Sequence, residues 1–441
     1  MKNEIPTVDF TRKNGLIRRL NGGNLGPQLT RGNIDNGQSV TDFAELEVPI
    51  TRLHDAPLGN PGMRLVDTQH IFGNFRADAQ NPDNYYFIAT DDYLRAIRAA
   101  GSEIFFRLGT SIEHTANNYF AFPPQDFEKW AEVCVNIIRH YNEGWNNGFS
   151  WNIVYWEIWN EPDVVKQMWN SSMEEYCRMY EVAARKIKAR FPNVKVGGPV
   201  LSYVHPGGND TLARIFLEYC RDHQVPLDFF SWHRYASDMQ ELSVEPTLVR
   251  GVLDEYGFTE TELHLNEWHY WIGGFSKPAY FDPVDGLPGI NAAAFATAIL
   301  TAWQDTPLTM GYHYTIGQLS NAWGAWNNWG ERLKLFYTLK AFALTARCKE
   351  RVVSTSDDIN VQILAGIGPD GKRAVLVSNF KSNRKEIELQ LKGAENTRFS
   401  LVRIDLDHDW EESECSTDAR GTVKLPGAGT GLSCVILLQE R

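Results

Sequence analysis

The sequence predicts an α/β fold, a (β/α)8 TIM barrel followed by a smaller C-terminal β-sandwich. Three observations lead to this prediction. The chain has 441 residues, more than one ordinary domain holds. Up to about residue 346, short apolar runs alternate with segments of helical periodicity, which is the pattern of βα units. Beyond that point, runs of period-two alternation are separated by turn residues without any helical pattern.

Eight predicted strands account for the first region, and eight parallel strands joined by helices close into a barrel. The strands are predicted to end near Gly22, His54, Gly109, Glu161, Val200, Tyr235, Glu267 and Ile316. Helices are expected between them, for example at 90–101 and 173–191. The first of these has Thr90 or Asp91 as N-cap and Gly101 after its C-cap.

The predicted domains are a catalytic barrel over 15–346 and a β-sandwich over 347–441. Before the barrel, "EIPTVDF" resembles a lone strand. Because an isolated strand cannot bury its two faces, we expect the segment 1–14 to pair into the C-terminal sandwich.

Composition argues against several classes of partner. The formal net charge of −12 repels phosphate backbones, and Lys and Arg are scattered, so we expect no nucleic acid. No apolar run of about 18 residues is present, so we expect no membrane insertion.

Six cysteines lie far apart without a C-x-x-C pair, and "MKNEIPTVDF" lacks the apolar core of a signal peptide, which together favour the cytoplasm. A secreted protein with its leader removed would look the same, and the sequence allows a homo-oligomer.

The fourth strand, "YWEIWNEPD" (155–163), carries an unexpected pair of glutamates. Because side chains alternate along a strand, the residues that share the parity of Glu161 should face the barrel interior, namely Tyr155, Glu157, Trp159 and Glu161. A carboxylate inside the barrel needs a cationic partner. The same parity rule selects two candidates, Arg52 on the second strand and Arg107 on the third, so we expect Glu157 to be structural.

A second glutamate ends another strand. On the sixth strand, parity selects Ser231, His233 and Tyr235, and on the seventh it selects Leu263, Leu265, Glu267 and His269. Active sites of such barrels lie at the C-terminal ends of the strands. Glu161 and Glu267 are therefore expected to face one mouth.

Two facing carboxylates beside aromatic side chains suit glycoside hydrolysis, in which one carboxyl protonates the leaving oxygen and the other attacks the sugar or activates water. The segment "NAWGAWNNWG" (321–330) places Trp323, Trp326 and Trp329 in a loop after the last strand, where their rings could stack on sugars. The alternative is that these tryptophans pack the loop onto the barrel.

At "WNEP" and "NEW" the chain resembles the retaining glycoside hydrolases of clan A, and among them family 39, which contains β-xylosidases and α-L-iduronidases. The resemblance covers roughly 15–345. It implies that Glu161 is the acid/base, that Asn160 binds the sugar 2-hydroxyl, and that Glu267 is the nucleophile. For a retaining enzyme the two carboxyl groups are expected about 5–5.5 Å apart.

The resemblance also implies substrate contacts from two further motifs. The H-x-Y at the end of the sixth strand matches His233 and Tyr235, and the R-x-H of the second strand matches Arg52 and His54.

The chain departs from the family pattern after the nucleophile. In "HLNEWHYW", Trp268 and His269 replace a Glu-Tyr-Asn type of continuation, which leaves the sugar open. We group His269, Trp323 and Trp326 with the substrate-binding residues. The implied function is that of a β-xylosidase-like exo-glycosidase acting on a glycoside or oligosaccharide, without a cofactor or metal.

Three alternatives stay open at this level. The first is another clan A glycosidase: an arabinofuranosidase, a β-glucosidase or galactosidase, or an endo-glycanase. The second is a carbohydrate-binding barrel without catalysis. The third is a metal hydrolase in which His54, His233, His269 and His313 converge, although no pair of them has the H-x-x-x-H spacing of a helical metal site.

Overall fold

The computed structural model of the protein describes residues 5–27, 36–55, 64–113, 116–273, 280–317, 322–327 and 329–441, with residues 36–38 described by their backbone alone. Within these residues, eight parallel strands close into a barrel, and a nine-stranded sheet built mainly from the C-terminal segment packs against it. The predicted fold class is confirmed.

The first strand of the chain, β1 (Thr7–Leu16), belongs to the nine-stranded sheet. The barrel strands follow in closed order as β2 (Asn21–Asn24), β3 (Ile50–Leu53), β4 (Glu103–Leu108), β5 (Tyr155–Ile158), β6 (Lys195–Leu201), β7 (Phe229–Ala236), β8 (Glu262–Tyr270) and β9 (Met310–His313).

Helices surround the barrel. Those in the described ranges are α1 (Asn36–Glu45), α2 (Thr68–Ile71), α3 (Ile88–Ala99), α4 (Phe127–Glu143), α5 (Met173–Arg190), α6 (Thr211–Asp222), α7 (Met239–Glu255), α8 (Ile290–Ala302) and α9 (Lys334–Ala346). Short 3-10 turns lie at Pro82–Asn84, Trp145–Asn147 and Trp303–Asp305. None of the described helices combines the length and the hydropathy that a bilayer crossing requires.

The two example helices show how local sequence sets helix ends. α5 begins where Ser172 accepts a hydrogen bond from the Glu175 amide at 3.2 Å, a capping arrangement. The predicted N-cap of α3 was wrong, because the helix starts two residues earlier. Thr90 bonds to the carbonyl of Leu65 and Asp91 accepts from the Tyr141 hydroxyl, so neither side chain caps.

Aromatic and aliphatic side chains fill the lower barrel. The buried interior layer contains Ile50, Phe105, Phe229 and Tyr312, with Tyr155 and Met310 packed against it. These residues have the interior parity predicted for β3, β4, β5 and β7. Polar residues of the same parity therefore lie above this layer, toward the C-terminal ends of the strands.

The parity prediction was wrong at two places. On β8, Leu263 and Leu265 pack in the outer core between strands and helices, because a bulge in the β7/β8 ladder at Asn266 shifts the alternation by one residue. Beyond this bulge Glu267 faces the interior as predicted. After β5, Trp159 has a positive φ of 73° and turns outward, where its ring meets Trp130 at 6.0 Å.

Three strand ends also differ from those predicted. β5 ends at Ile158, since Trp159 leaves the extended conformation. β9 ends at His313, although the Ile316 amide still bonds to the barrel through the Asn24 carbonyl at 2.9 Å. β8 instead continues past Glu267 to Tyr270 because it stays paired with β7.

The second sheet contains β10 (Glu350–Thr355), β11 (Val361–Ile367), β12 (Arg373–Asn379), β13 (Glu386–Lys392), β14 (Arg398–Ile404), β15 (Glu411–Ser416), β16 (Thr422–Pro426) and β17 (Cys434–Glu440). Its order is β15-β14-β17-β12-β11-β10-β1-β13-β16. β1 runs antiparallel to β10 and parallel to β13. The sheet folds around its own core, which includes Val8, Leu389 and Ile436.

The outer face of this sheet continues the core of the barrel. Leu364, Leu376 and Leu437 belong to the same buried cluster as Phe295 of α8 and Phe342 of α9. Helices α8 and α9 are thus covered on one side by the barrel and on the other by the sheet. The domain boundary at residue 346 stays a prediction, since one core spans it.

Candidate active site

The C-terminal mouth of the barrel collects most of the predicted site residues. Glu161 follows β5, and Glu267 lies in β8 immediately after the bulge. His233 and Tyr235 are two residues apart on β7, so both side chains face the interior. Arg52 comes from β3, and it completes a cluster drawn from four different strands.

Glu267 is held by donors on several sides. Its carboxylate accepts hydrogen bonds from the Tyr235 hydroxyl at 2.8 Å and from Arg52 Nη1 at 3.2 Å, and His233 Nδ1 lies 3.3 Å away. Burial raises the pKa of Glu267, and the negative charge of Glu161 adds to this, while Arg52 and the Tyr235 hydrogen bond act to lower it. The donors stabilise the Glu267 anion, while burial keeps the pKa of this carboxyl above its ordinary value.

Glu161 has a different environment. Within the cluster, its side chain contacts His233 Nδ1 at 2.8 Å. Burial, followed by the negative charges of Asp163 and Asp55, raises the pKa of Glu161 to about 8, against the opposing charge of Arg52. The side chain keeps 18% of its exposure, so it can reach a ligand in the mouth. At neutral pH this carboxyl holds its proton.

The two carboxyl groups are close together. A ligand oxygen from each, together with a His233 nitrogen, lies within 4.8 Å of the others. Inverting enzymes need about 6.5–9.5 Å between the carboxyls to admit a water molecule, and retaining enzymes about 5–5.5 Å. This close approach of one oxygen from each carboxyl is compatible with the predicted retaining separation.

Arg52 links the two strand-end glutamates to the barrel interior. Its guanidinium is fully buried and bonds to Glu157 Oε2 at 2.7 Å, Asn160 Oδ1 at 2.7 Å and Asn24 Oδ1 at 3.1 Å. The prediction that Arg52 or Arg107 neutralises Glu157 is therefore confirmed for Arg52. The planar fork of an arginine makes this multiple bonding geometry possible.

Arg107 has a separate partner. It pairs with Asp67 at 2.7 Å and donates to the Ser111 hydroxyl at 3.0 Å. Its charge still influences the site, since with Arg52 it adds to the burial that lowers the pKa of His54 well below its ordinary value.

His233 bridges the two carboxyl groups. Burial lowers its pKa to about 4, so the ring is neutral at physiological pH. Nε2 has no hydrogen-bond partner within the described structure, whereas Nδ1 lies near both Glu161 and Glu267. A neutral ring with its proton on Nδ1 can donate to an oxygen of either carboxyl group.

Trp323 lies at the upper rim of the mouth. Its ring centroid is 5.1 Å from His269, 5.4 Å from Tyr314 and 6.2 Å from Tyr235. Trp271 stacks on it at 6.2 Å with an interplanar angle of 13°. Trp323 and His269 are therefore both brought to the site, as predicted.

Trp326 is not brought to the site, and its assignment as a substrate-binding residue is corrected. Its ring packs between Phe43 of α1 at 6.3 Å and Phe336 of α9 at 5.5 Å, and the residue is buried. Trp329 is instead 70% exposed. Of the three loop tryptophans, Trp326 follows the alternative reading, in which the ring fixes the loop to the barrel.

Comparison with known proteins identifies the family of the chain. The profile of the glycosyl hydrolases family 39 matches residues 63–322, more than half of the chain. The chain belongs to this family.

Curated relatives match over shorter stretches than the family profile. A β-xylosidase of Geobacillus stearothermophilus is 32% identical over 167 residues, covering 33% of the family 39 chain and 32% of the relative. The human α-L-iduronidase is 25% identical over 208 residues, covering 43% and 30%. The alignments thus span about a third of these relatives.

Solved structures share the fold over the whole chain. A glucosidase from Croceicoccus marinus superposes with a TM-score of 0.78 at 23% identity, covering 100% of both chains. A GH39 β-xylosidase from Caulobacter crescentus gives 0.72 at 18% identity, covering 99% and 100%. At these identities the likeness establishes the fold of the family 39 chain.

Among the described residues, the four histidines of the metal-site alternative do not form one group with metal-ligand spacing, although the rings of His269 and His313 lie 4.4 Å apart. His54 lies 3.4 Å from Asp55, His269 Nδ1 bonds to the carbonyl of Tyr270, and His313 Nδ1 contacts the carbonyl of Thr315. Among the described residues, the group with metal-ligand spacing is Glu161, His233 and Glu267. A cation there would face the Arg52 guanidinium, which disfavours metal binding.

Other residues of this family 39 site escaped the sequence analysis. Asn24 accepts from Arg52 and donates to the Asn266 carbonyl at 2.9 Å, while Asn266 donates to Glu157. Asp55 accepts from the Tyr314 hydroxyl at 3.0 Å. Asp55 directly follows His54, and Asn24 ends β2, so a strand-end position was the available signal for both.

Proposed function

We propose that the protein is a retaining glycoside hydrolase that cleaves glycosidic bonds by double displacement. The observation that carries this proposal is the close approach of Glu161 and Glu267 inside one mouth, with oxygens within 4.8 Å. Tyr235 and Arg52 both donate to Glu267, whereas burial and nearby carboxylates raise the pKa of Glu161 to about 8. Membership of family 39 supports the same reaction class.

In the first step Glu267 attacks the anomeric carbon while Glu161 donates its proton to the leaving oxygen, and a glycosyl-enzyme ester forms. Esterification removes the negative charge of Glu267. The pKa of Glu161 then falls, so this carboxylate can take a proton from the water that hydrolyses the ester. Both residues end the cycle in their starting states, and the anomeric configuration is retained.

Asn160 and His233 are proposed to orient the sugar. The Asn160 side chain is fixed by Arg52 through Oδ1, while its Nδ2 has no hydrogen-bond partner in the described parts of the chain. A buried unpaired donor is costly, and a sugar hydroxyl would satisfy it. Trp323 is proposed to stack on a sugar face at the rim, with His54 and His269 completing the pocket.

The proposed substrate is a β-D-xyloside, and the enzyme removes the xylose unit from one end of the sugar chain. Two curated relatives are named as β-xylosidases, which supports this choice. The alternative substrates are a glucoside and an arabinofuranoside. They are suggested by the glucosidase and by an arabinofuranosidase from Thermotoga maritima, which superposes with a TM-score of 0.68. Kinetics on a panel of aryl glycosides separates them, with the β-D-xyloside expected to give the highest kcat/KM.

Two variants test the division of labour. Glu267→Ala should lose turnover on every substrate. Glu161→Ala should still be glycosylated by substrates with good leaving groups, then stall, and recover with azide to give a glycosyl azide of retained configuration. Azide acceleration without that product, or near-normal rates of both variants on a natural substrate, would contradict the assignment. Activity that survives chelation would argue against the metal hydrolase.

We further propose a cytoplasmic location. All six cysteines are free, and five of them are buried, which suits a reducing compartment. Fractionation of the native host with detection of the protein tests this proposal.

A further inference from the structure

A second concave site lies outside the barrel mouth. A cavity of about 600 Å³ opens between the segment that follows α2 and the segment that precedes α4. Its base is formed by Trp130 and Trp159, whose rings meet at 6.0 Å. Trp159 turns away from the barrel interior, and the described lining of this cavity contains neither Glu161 nor Glu267.

Aromatic side chains dominate the cavity and stay open to solvent at its rim. Tyr119 is 70% exposed, Phe120 50% and Phe122 54%. Exposed aromatic rings gathered around one opening are costly in water unless a ligand or partner covers them. These three rings surround the entrance of the cavity, and the two buried tryptophan rings form its floor.

The polar groups of the cavity narrow the class of ligand. Three neutral amides, those of Gln69, Asn74 and Gln125, line it beside the aromatic rings. Its described lining contains one charged side chain, Arg76, and no carboxylate. A metal ion would lack ligands and a polyanion would lack counter-charges. Aromatic platforms with amide donors and acceptors instead suit a neutral ligand that has apolar faces and hydroxyl edges, which describes a sugar chain.

We propose that this cavity is a second carbohydrate-binding site, which holds a neutral oligosaccharide or polysaccharide chain outside the catalytic mouth. The inference rests on the proposed function, since it assumes that the enzyme meets carbohydrate chains. Trp159, at the base, immediately precedes Asn160 and Glu161. The site therefore lies on the β5 side of the barrel, the side from which the acid/base approaches the leaving group. A chain bound there keeps substrate near the mouth.

Affinity electrophoresis in native gels that contain soluble xylan or a soluble β-glucan tests the proposal. The protein carries Glu267→Gln so that it does not degrade the polysaccharide. We expect the gel polymer to retard this parent, and the added pair Tyr119→Ala and Phe122→Ala to abolish the retardation. Leu248→Ala on α7, whose side chain is 45% exposed, is the matched control for a lost apolar surface and should be retarded like the parent.

The same two substitutions, made in the enzyme that keeps Glu267, should leave kcat/KM on a small aryl glycoside within twofold of the wild-type value. The reason is that Tyr119 and Phe122 lie outside the mouth. The proposal is wrong if neither polysaccharide retards the parent, or if the double variant is retarded equally. It is also wrong if sedimentation velocity shows the double variant losing a dimer while polysaccharide has no effect, since the rim would then contact a second copy of the chain. An enzyme that cleaves no aryl glycoside yet is retarded through these aromatics would refute the proposed function and leave this site standing.

Discussion

Replacing Arg52 by Met should destabilise the protein through a carboxylate that the substitution does not touch. Arg52 and Glu157 are both fully buried, and their ion pair has a length of 2.7 Å. Met keeps the apolar stem and removes the charge. Glu157 is then left inside the barrel with Asn266 as its remaining hydrogen-bond partner among the described residues. Breaking one side of a buried ion pair costs about 3–5 kcal/mol.

A second substitution, Glu157→Gln, made in the Arg52→Met variant, should restore much of the lost free energy of unfolding. The glutamine amide is neutral, so the double variant no longer buries an uncompensated charge, and pairs removed together are often nearly neutral for stability. We therefore expect Arg52→Met and Glu157→Gln to be coupled by roughly 2 kcal/mol. Arg52→Lys is the charge-preserving control, and it should fall in between, since one ammonium cannot replace a guanidinium bonded on several sides.

Activity should not return with stability. Arg52 also bonds to Glu267 and Asn160, and these contacts stay lost in the double variant. Losing a hydrogen bond to a charged group costs about 1.5–3 kcal/mol, which corresponds to about 10- to 100-fold in kcat.

Urea unfolding of the wild type, the two single variants, the double variant and Arg52→Lys is followed by tryptophan fluorescence and far-UV circular dichroism. It measures the coupling, and aryl glycoside kinetics measures kcat. Coincident transitions from the two probes are needed, because the chain contains both a barrel and a second sheet. A double variant no more stable than Arg52→Met alone would refute the structural role of Glu157. Recovered activity in the double variant would refute the proposal that Arg52 positions the catalytic residues.

Three further outcomes are expected. Burial and then Asp163 hold the pKa of Glu161 at about 8, so kcat/KM should fall above about pH 8 as the acid loses its proton, and Asp163→Asn should move this limb to lower pH in a pH–rate profile. Tyr235→Phe removes the 2.8 Å hydrogen bond to Glu267 and should lower kcat about 10- to 100-fold in steady-state assays. An unchanged kcat would contradict a role of this hydrogen bond in catalysis. Trp326→Ala should cost about 3–5 kcal/mol in urea unfolding at unchanged KM, while Trp323→Ala should raise KM at little cost in stability; the reverse pattern would overturn their assignments.

Strand periodicity predicted the barrel and most of its interior. The parity rule held for Arg52 and Glu157 because these residues lie in regular strands that pair without interruption. It failed at Asn266, where a bulge adds one residue to the ladder, and at Trp159, where a positive φ ends the alternation. Both irregularities lie next to Glu267 or Glu161, and no residue type in their local sequence marks them.

Candidate site residues were predictable where a motif fixed them at a strand end. Glu161 and Glu267 follow from position and chemistry together. For Asn24 and Asp55 the strand-end position is the available local signal, and their role arises only when closure of the barrel brings them to Arg52 and Tyr314. Trp326 shows the opposite limit, since a loop tryptophan can pack or bind, and its neighbours on α1 and α9 decide which.

The place of β1 in the second sheet has a consequence for biosynthesis. β1 leaves the ribosome before the barrel strands, yet its partners β10 and β13 are translated only after the whole barrel. The nascent chain must therefore carry an unpaired strand with Val8 and Phe10 uncovered while the barrel forms. Such a strand is open to pairing with other chains and to chaperones that bind extended apolar segments. When translation is stalled before β10, we expect a barrel whose N-terminal strand β1 is exposed and sensitive to protease. When synthesis resumes, we expect β1 to become protected as the last event of folding.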